Sequence, residues 1–124
     1  MLTTAYVLEP DPAERERIEA AIASIVDVVT FVDRGELSML TADAAGIVIA
    51  SVDPDGACTI GLVQDLRSRK VMLPVLVLGS HSAFRTAVDV ARLDATDFLE
   101  RPATARQLRT AVARLLAPAR AAQR

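Results

Sequence analysis

Five short apolar runs, each followed by a segment of helical periodicity, constrain this chain more than any other feature. The runs are Ala5-Tyr6-Val7-Leu8, Val26 to Val32, Gly46 to Ala50, Pro74 to Leu78 and Thr96 to Leu99. Gly46 to Ala50 is apolar without alternation, as a strand covered on both faces must be. Between the runs the period changes. Asp11-Pro12-Ala13-Glu14 supplies a helix N-cap, a proline at the first helical position and an acidic residue in the first turn. Ile18, Ile22 and Ile25 then recur at helical spacing as a buried stripe. Further helices are predicted over Gly35 to Leu40, Ile60 to Arg69 and Ala83 to Arg92. Thr104 with Gln107 is a capping box that opens a last helix, whose buried stripe is Leu108, Ala111, Val112 and Leu115.

Strands alternating with helices over short connections imply a parallel sheet wrapped on both faces, because right-handed crossovers allow little else. The expected fold is therefore α/β: a doubly wound (βα)5 three-layer sandwich around a five-stranded parallel sheet, of flavodoxin-like layout. At 124 residues, about half of them apolar and few aromatic, the chain has the size of one domain with a core of Val, Ile, Leu and Ala. The domain is expected over residues 1–118, with 119–124 a tail or the start of a linker to an output domain.

Composition removes several function classes. A formal charge of -2 gives no general attraction to nucleic acid. Arg106, Arg109, Arg114, Arg120 and Arg124 gather at the C-terminal end and read as a solvated helix face complementing the helix dipole. The first residues lack a charged-then-apolar signal pattern, and no apolar run approaches the roughly 20 residues that span a bilayer. A cytoplasmic location without membrane contact is expected. Cys58 is the single cysteine; it cannot form an internal disulfide and has no metal-ligand spacing around it. His81, the single histidine, likewise lacks a second histidine or a cysteine beside it, so a loop or helix-start role is expected. No glycine-rich loop has phosphate-binding spacing.

Ligands of such sheets sit beyond the carboxyl ends of the strands. Those ends read Glu9-Pro10-Asp11, Ala50-Ser51-Val52-Asp53, Gly79-Ser80-His81 and Glu100-Arg101-Pro102, and they make up the candidate site.

At these residues the chain resembles the receiver domains of two-component response regulators, the CheY-like fold, from about Tyr6 to Leu116. The FixJ type is suggested by Val7-Leu8-Glu9-Pro10-Asp11-Pro12, by Pro74-Val75-Leu76-Val77-Leu78-Gly79-Ser80-His81 and by Asp97-Phe98-Leu99-Glu100-Arg101-Pro102. The resemblance implies an aspartate at the third strand end that takes a phosphoryl group from a histidine kinase. The matching position is Ala50, since Pro54 falls at the family's four-residue offset. It implies an acidic pair holding Mg²⁺, which here reads Glu9 and Pro10. A Ser/Thr on the fourth strand and a Lys before the fifth-strand proline are replaced by Gly79 and Arg101, and the aromatic switch position is kept as Phe98.

Each departure has a chemical consequence. An alanine methyl has no lone pair, so Ala50 accepts no phosphoryl group. Carboxylates missing at Ala50 and Pro10 leave Glu9 with at best Asp11 and backbone carbonyls, so Mg²⁺ binding is expected to be weak or absent. Asp11 has a competing role as helix N-cap. Arg101 is expected to reach Glu9 with its bidentate fork and close the pocket. Gly79 offers no hydroxyl to couple the pocket to Phe98, which is then a packed or interface residue.

Other acceptors fare poorly. Asp53 lies three residues past Ala50, up to roughly 10 Å away in an extended loop. Asp53-Pro54-Asp55-Gly56 is a turn composition that uses Asp for local hydrogen bonds. Ser51 alternates to the opposite sheet face and reads as a satisfied polar group.

Three functions stay in view. The expected one is an atypical, non-enzymatic receiver that works by phosphorylation-independent protein contacts, dimerising or holding an output domain, with a histidine kinase as a further candidate partner. The alternatives are a residual switch that uses Asp53 or Asp55 as acceptor, and a small-ligand sensor in the emptied pocket. The surface first expected to self-associate combines residues 83–92, the fifth strand and the last helix, where Asp89, Asp94 and Asp97 lie near Arg92, Arg106 and Arg109.

Overall fold

The computed structural model describes residues 3–51, 57–79 and 96–117. The helix expected over 83–92 lies outside the described residues, as do Asp53, Asp55, Ser80, His81, Asp89, Arg92 and Asp94. In chain order the elements are β1 (Thr4–Leu8), α1 (Pro12–Ile22), β2 (Val28–Phe31), α2 (Arg34–Leu37), β3 (Gly46–Ser51), α3 (Ala57–Ser68), β4 (Val75–Gly79), β5 (Thr96–Glu100) and α4 (Ala105–Leu116). All strand pairs are parallel, and the spatial order is β2-β1-β3-β4-β5. This is the five-stranded, doubly wound sheet that the alternation predicts. Its strand order reverses between β1 and β3, and sheets of this kind place their ligands beyond the carboxyl ends at such a reversal.

Two apolar layers sandwich the sheet. On one face α1 and α4 pack Ile18, Ile22, Leu108 and Val112 onto Val7, Ile47, Ile49, Leu76 and Leu78. On the other, Leu37, Leu62, Val63 and Leu66 cover Val48, Val75 and Val77, with Tyr6, Leu8 and Phe98 joining at the margin. The interior strand β4 is buried along its whole length, which is why its sequence shows no alternation.

Two predicted boundaries move. The second run is strand only over Val28–Phe31. Val26 is tied back into the end of α1 by its N–H to the Ile22 carbonyl at 3.2 Å, so it is buried as part of a turn. The helix expected from Gly35 to Leu40 is a single turn, Arg34–Leu37, closed by a capping box between Asp33 and Glu36.

Register between β1 and β3 is set by Gly46. Its φ is +138°, and a Cβ there would stand 1.8 Å from the Thr4 carbonyl oxygen, so only glycine lets the strands start side by side. From that pairing Thr4↔Gly46, each later pair follows, ending with Leu8 beside Ala50.

Candidate functional site

Side chains in register on parallel strands share a face, so the strand ends sort into two rows. Leu8, Ala50, Val77 and Phe98 form one row by direct pairing. Ala50 is 0% exposed, and Leu8, Val77 and Phe98 belong to the second apolar layer. The next row lies on the opposite face: Ser51 pairs with Leu78 and Leu78 with Leu99, while Glu9, one residue past Leu8, stands level with Ser51.

Glu9 is the one buried charged side chain among the described residues, at 2% exposure. Its Oε1 accepts a hydrogen bond from Ser51 Oγ at 2.6 Å, and its Oε2 accepts from the Asp11 N–H at 3.2 Å. Arg101 Nη1 lies 3.6 Å from Oε1. The Glu9 carbonyl accepts from Arg15 Nε at 2.5 Å, and the Arg15 guanidinium also stacks over the Phe31 ring, 5.4 Å from its centroid. A buried carboxylate is tolerable only when hydrogen-bonded and opposed by positive charge, and this one has both.

The surrounding loops are fixed by backbone contacts. Arg101 N–H donates to the Gly79 carbonyl at 2.7 Å, continuing the β4–β5 ladder to the residue that faces Glu9. The Arg101–Pro102 peptide is cis. Arg17 reaches across from α1 to the Ala103 carbonyl at 2.7 Å while pairing with Glu14 at 2.8 Å.

Of the residues singled out from sequence, Glu9, Ser51, Gly79 and Arg101 converge. Pro10 is exposed beside them, and Asp11 Oδ1 is engaged as the α1 N-cap, accepting from Ala13 N at 3.1 Å. Phe98 is half-buried against the second layer. One expectation needs correcting. Arg101 pairs with Glu9 as expected, but in an ionic contact longer than a hydrogen bond and without the two-pronged fork. Ser51 lies on the face opposite Ala50 and is a satisfied polar group, as expected; that face is also the Glu9 face, so Ser51 joins the site. Arg15 and Arg17 were missed altogether; the signal was their place on the second turn of α1, directly above the first loop.

An acidic first loop raises the question of a divalent cation. The described residues do not fit one. Both Glu9 carboxylate oxygens and its carbonyl already accept hydrogen bonds, from Ser51 Oγ, the Asp11 N–H and Arg15 Nε, the Asp11 carboxylate caps α1, and Pro10 and Ala50 bring no side-chain oxygen. No group of three or more His, Cys, Asp or Glu side chains among the described residues is arranged to hold a metal.

Away from the strand ends, α4 and β5 form a shallow groove of about 240 Å³ with Leu99 and Ala111 in its floor and Arg106 and Arg114 at its rim. Asp97 Oδ2 pairs with Arg114 of the same chain at 3.2 Å and Oδ1 accepts from the Phe98 N–H, so its charge is answered internally. No helix among the described residues is long and apolar enough to cross a membrane.

Comparison with known proteins agrees with this architecture. The transcriptional regulatory protein FixJ of Bradyrhizobium diazoefficiens is 29% identical over 99 residues, 78% of this chain and 48% of FixJ. The response regulator protein FleR of Pseudomonas aeruginosa is 32% identical over 116 residues, 92% of this chain and 24% of FleR. The chain thus spans about half the length of one relative and a quarter of the other. The crystal structure of a CheY-like protein, tadZ, from Pseudomonas aeruginosa superposes with a TM-score of 0.74 at 24% identity, over 91% of this chain and 98% of that one. No family model matches the chain.

Proposed function

We propose that this chain, a CheY-like receiver domain of the response-regulator type, signals through protein contacts without receiving a phosphoryl group. The observation that carries the reading is Ala50. At the carboxyl end of β3, beside the crevice where such sheets place their chemistry, it presents a fully buried methyl between Leu8 and Val77. No nucleophile stands at that position. The neighbouring polar cluster supports the same reading, since the buried Glu9 carboxylate is engaged by the Ser51 hydroxyl and faced by the Arg101 charge.

For a receiver that does not switch by phosphorylation, the output we favour is a surface that recognises a partner in its standing conformation. The candidate partners are a second copy of the chain or an attached output domain. The exposed Arg106 and Arg109 on α4 are the first candidates for that contact, with Asp97 withdrawn from it by Arg114. Sedimentation velocity with and without acetyl phosphate and Mg²⁺ tests the reading: the association state should be the same in both. A change in association that requires the phosphodonor contradicts it and favours a displaced acceptor, for which Asp53 is the candidate.

A further inference from the structure

We propose that Arg101 is the built-in counter-charge of this site, standing beside Glu9 where a divalent cation would stand at an acidic first loop, so that the protein binds no Mg²⁺ there. The inference rests on reading the strand ends as a receiver pocket, and it adds what neutralises that pocket.

Glu9 offers three oxygens, and each has a donor. Ser51 Oγ is 2.6 Å from Oε1, the Asp11 N–H is 3.2 Å from Oε2, and Arg15 Nε is 2.5 Å from the carbonyl. Mg²⁺ asks for near-octahedral oxygen ligation at about 2.0–2.1 Å. An entering ion would share oxygens that already accept hydrogen bonds and sit among two guanidinium groups, of Arg101 and Arg15, with, at the Glu9 cluster and among the described residues, a single carboxylate that is 2% exposed. Electrostatics and coordination both oppose it. The arginine, held by its backbone bond to Gly79, costs no binding step.

The contact distance says which property of Arg101 matters. At 3.6 Å from Oε1 it acts as a charge rather than as a two-pronged donor. A lysine should therefore substitute, and an uncharged residue of similar length should not.

Thermal unfolding of the wild type, Arg101→Lys, Arg101→Gln, Glu9→Gln and the Glu9→Gln, Arg101→Gln double variant tests this. Arg101→Lys should melt within about 2 °C of the wild type, while Arg101→Gln should fall by several degrees and the double variant should recover most of that loss. Titrating Mg²⁺ into the wild type should move Tm no more than NaCl of equal ionic strength. A saturable Mg²⁺-specific rise that Glu9→Gln abolishes overturns the assignment, and so does Arg101→Gln melting with the wild type. Those outcomes leave the phosphorylation-independent reading standing; uptake of a phosphoryl group is what would remove that.

Discussion

Ser51 and Glu9 are joined by a 2.6 Å hydrogen bond across the carboxyl ends of β3 and β1, hydroxyl to carboxylate, at the one buried charge among the described residues. A bond to an ionised acceptor out of water is among the stronger kinds. Ser51→Ala removes the donor and leaves Glu9 short of a partner, so stability should fall by about 1.5–3 kcal/mol, read as a lower urea midpoint at unchanged slope. A Ser51→Ala protein as stable as the wild type would mean that the hydroxyl is incidental to the cluster.

The register that brings these two residues together begins at the other end of the sheet. With a Cβ on Gly46 standing 1.8 Å from the Thr4 carbonyl oxygen, Gly46→Ala must push β1 and β3 apart or twist the backbone out of its positive φ. We expect a loss of about 3 kcal/mol or more. Hydrogen exchange should show the loss concentrated in β1 and β3. A protein of near wild-type stability would show that the strands can start in another register.

Much of this was legible in the chain before any coordinates. The apolar runs mark the interior strands β3 and β4 most plainly because these are buried along most or all of their length, and Asp11 and Thr104 mark their helix starts because a cap depends on local chemistry alone. The polar cluster was only half legible. Alternation along β3 correctly sends Ser51 to the face opposite Ala50, but which residues of β1 share that face depends on inter-strand offset, and offset is a tertiary property. It hangs here on the close approach of Gly46 to Thr4, a contact between residues distant in sequence. Arg15 was missed for a similar reason: its partner is a backbone carbonyl, and backbone atoms leave no trace in residue type. Arg101 meets Glu9 at 3.6 Å, as a charge and without the expected fork, because the spacing between the two side chains is set by tertiary placement.

Placing a carboxylate at Ala50 should not make a switch. The side chain there is fully buried beside Leu8 and Val77, so an aspartate enters an apolar row and should destabilise by about 1–3 kcal/mol. Gly79 still offers no hydroxyl, and Glu9 stays engaged by Ser51 and Arg101. Ala50→Asp treated with acetyl phosphate and Mg²⁺ should sediment as the untreated variant does. Phosphodonor-dependent association of this single variant would show that the rest of the pocket had remained competent.

Self-association through α4 should depend on salt if its arginines carry the contact. We expect a dimer at low ionic strength that weakens as salt rises, and that Arg109→Glu weakens further, by sedimentation over a range of concentrations. A dimer indifferent to both changes, or no dimer at any concentration, would move the output surface elsewhere.

Intact-mass spectrometry of the wild-type protein after incubation with acetyl phosphate and Mg²⁺ decides whether the domain takes up a phosphoryl group. The mass should stay unchanged, because no nucleophile stands at Ala50. A stoichiometric gain of one phosphoryl group would contradict it, and loss of that gain on Asp53→Asn would identify the acceptor.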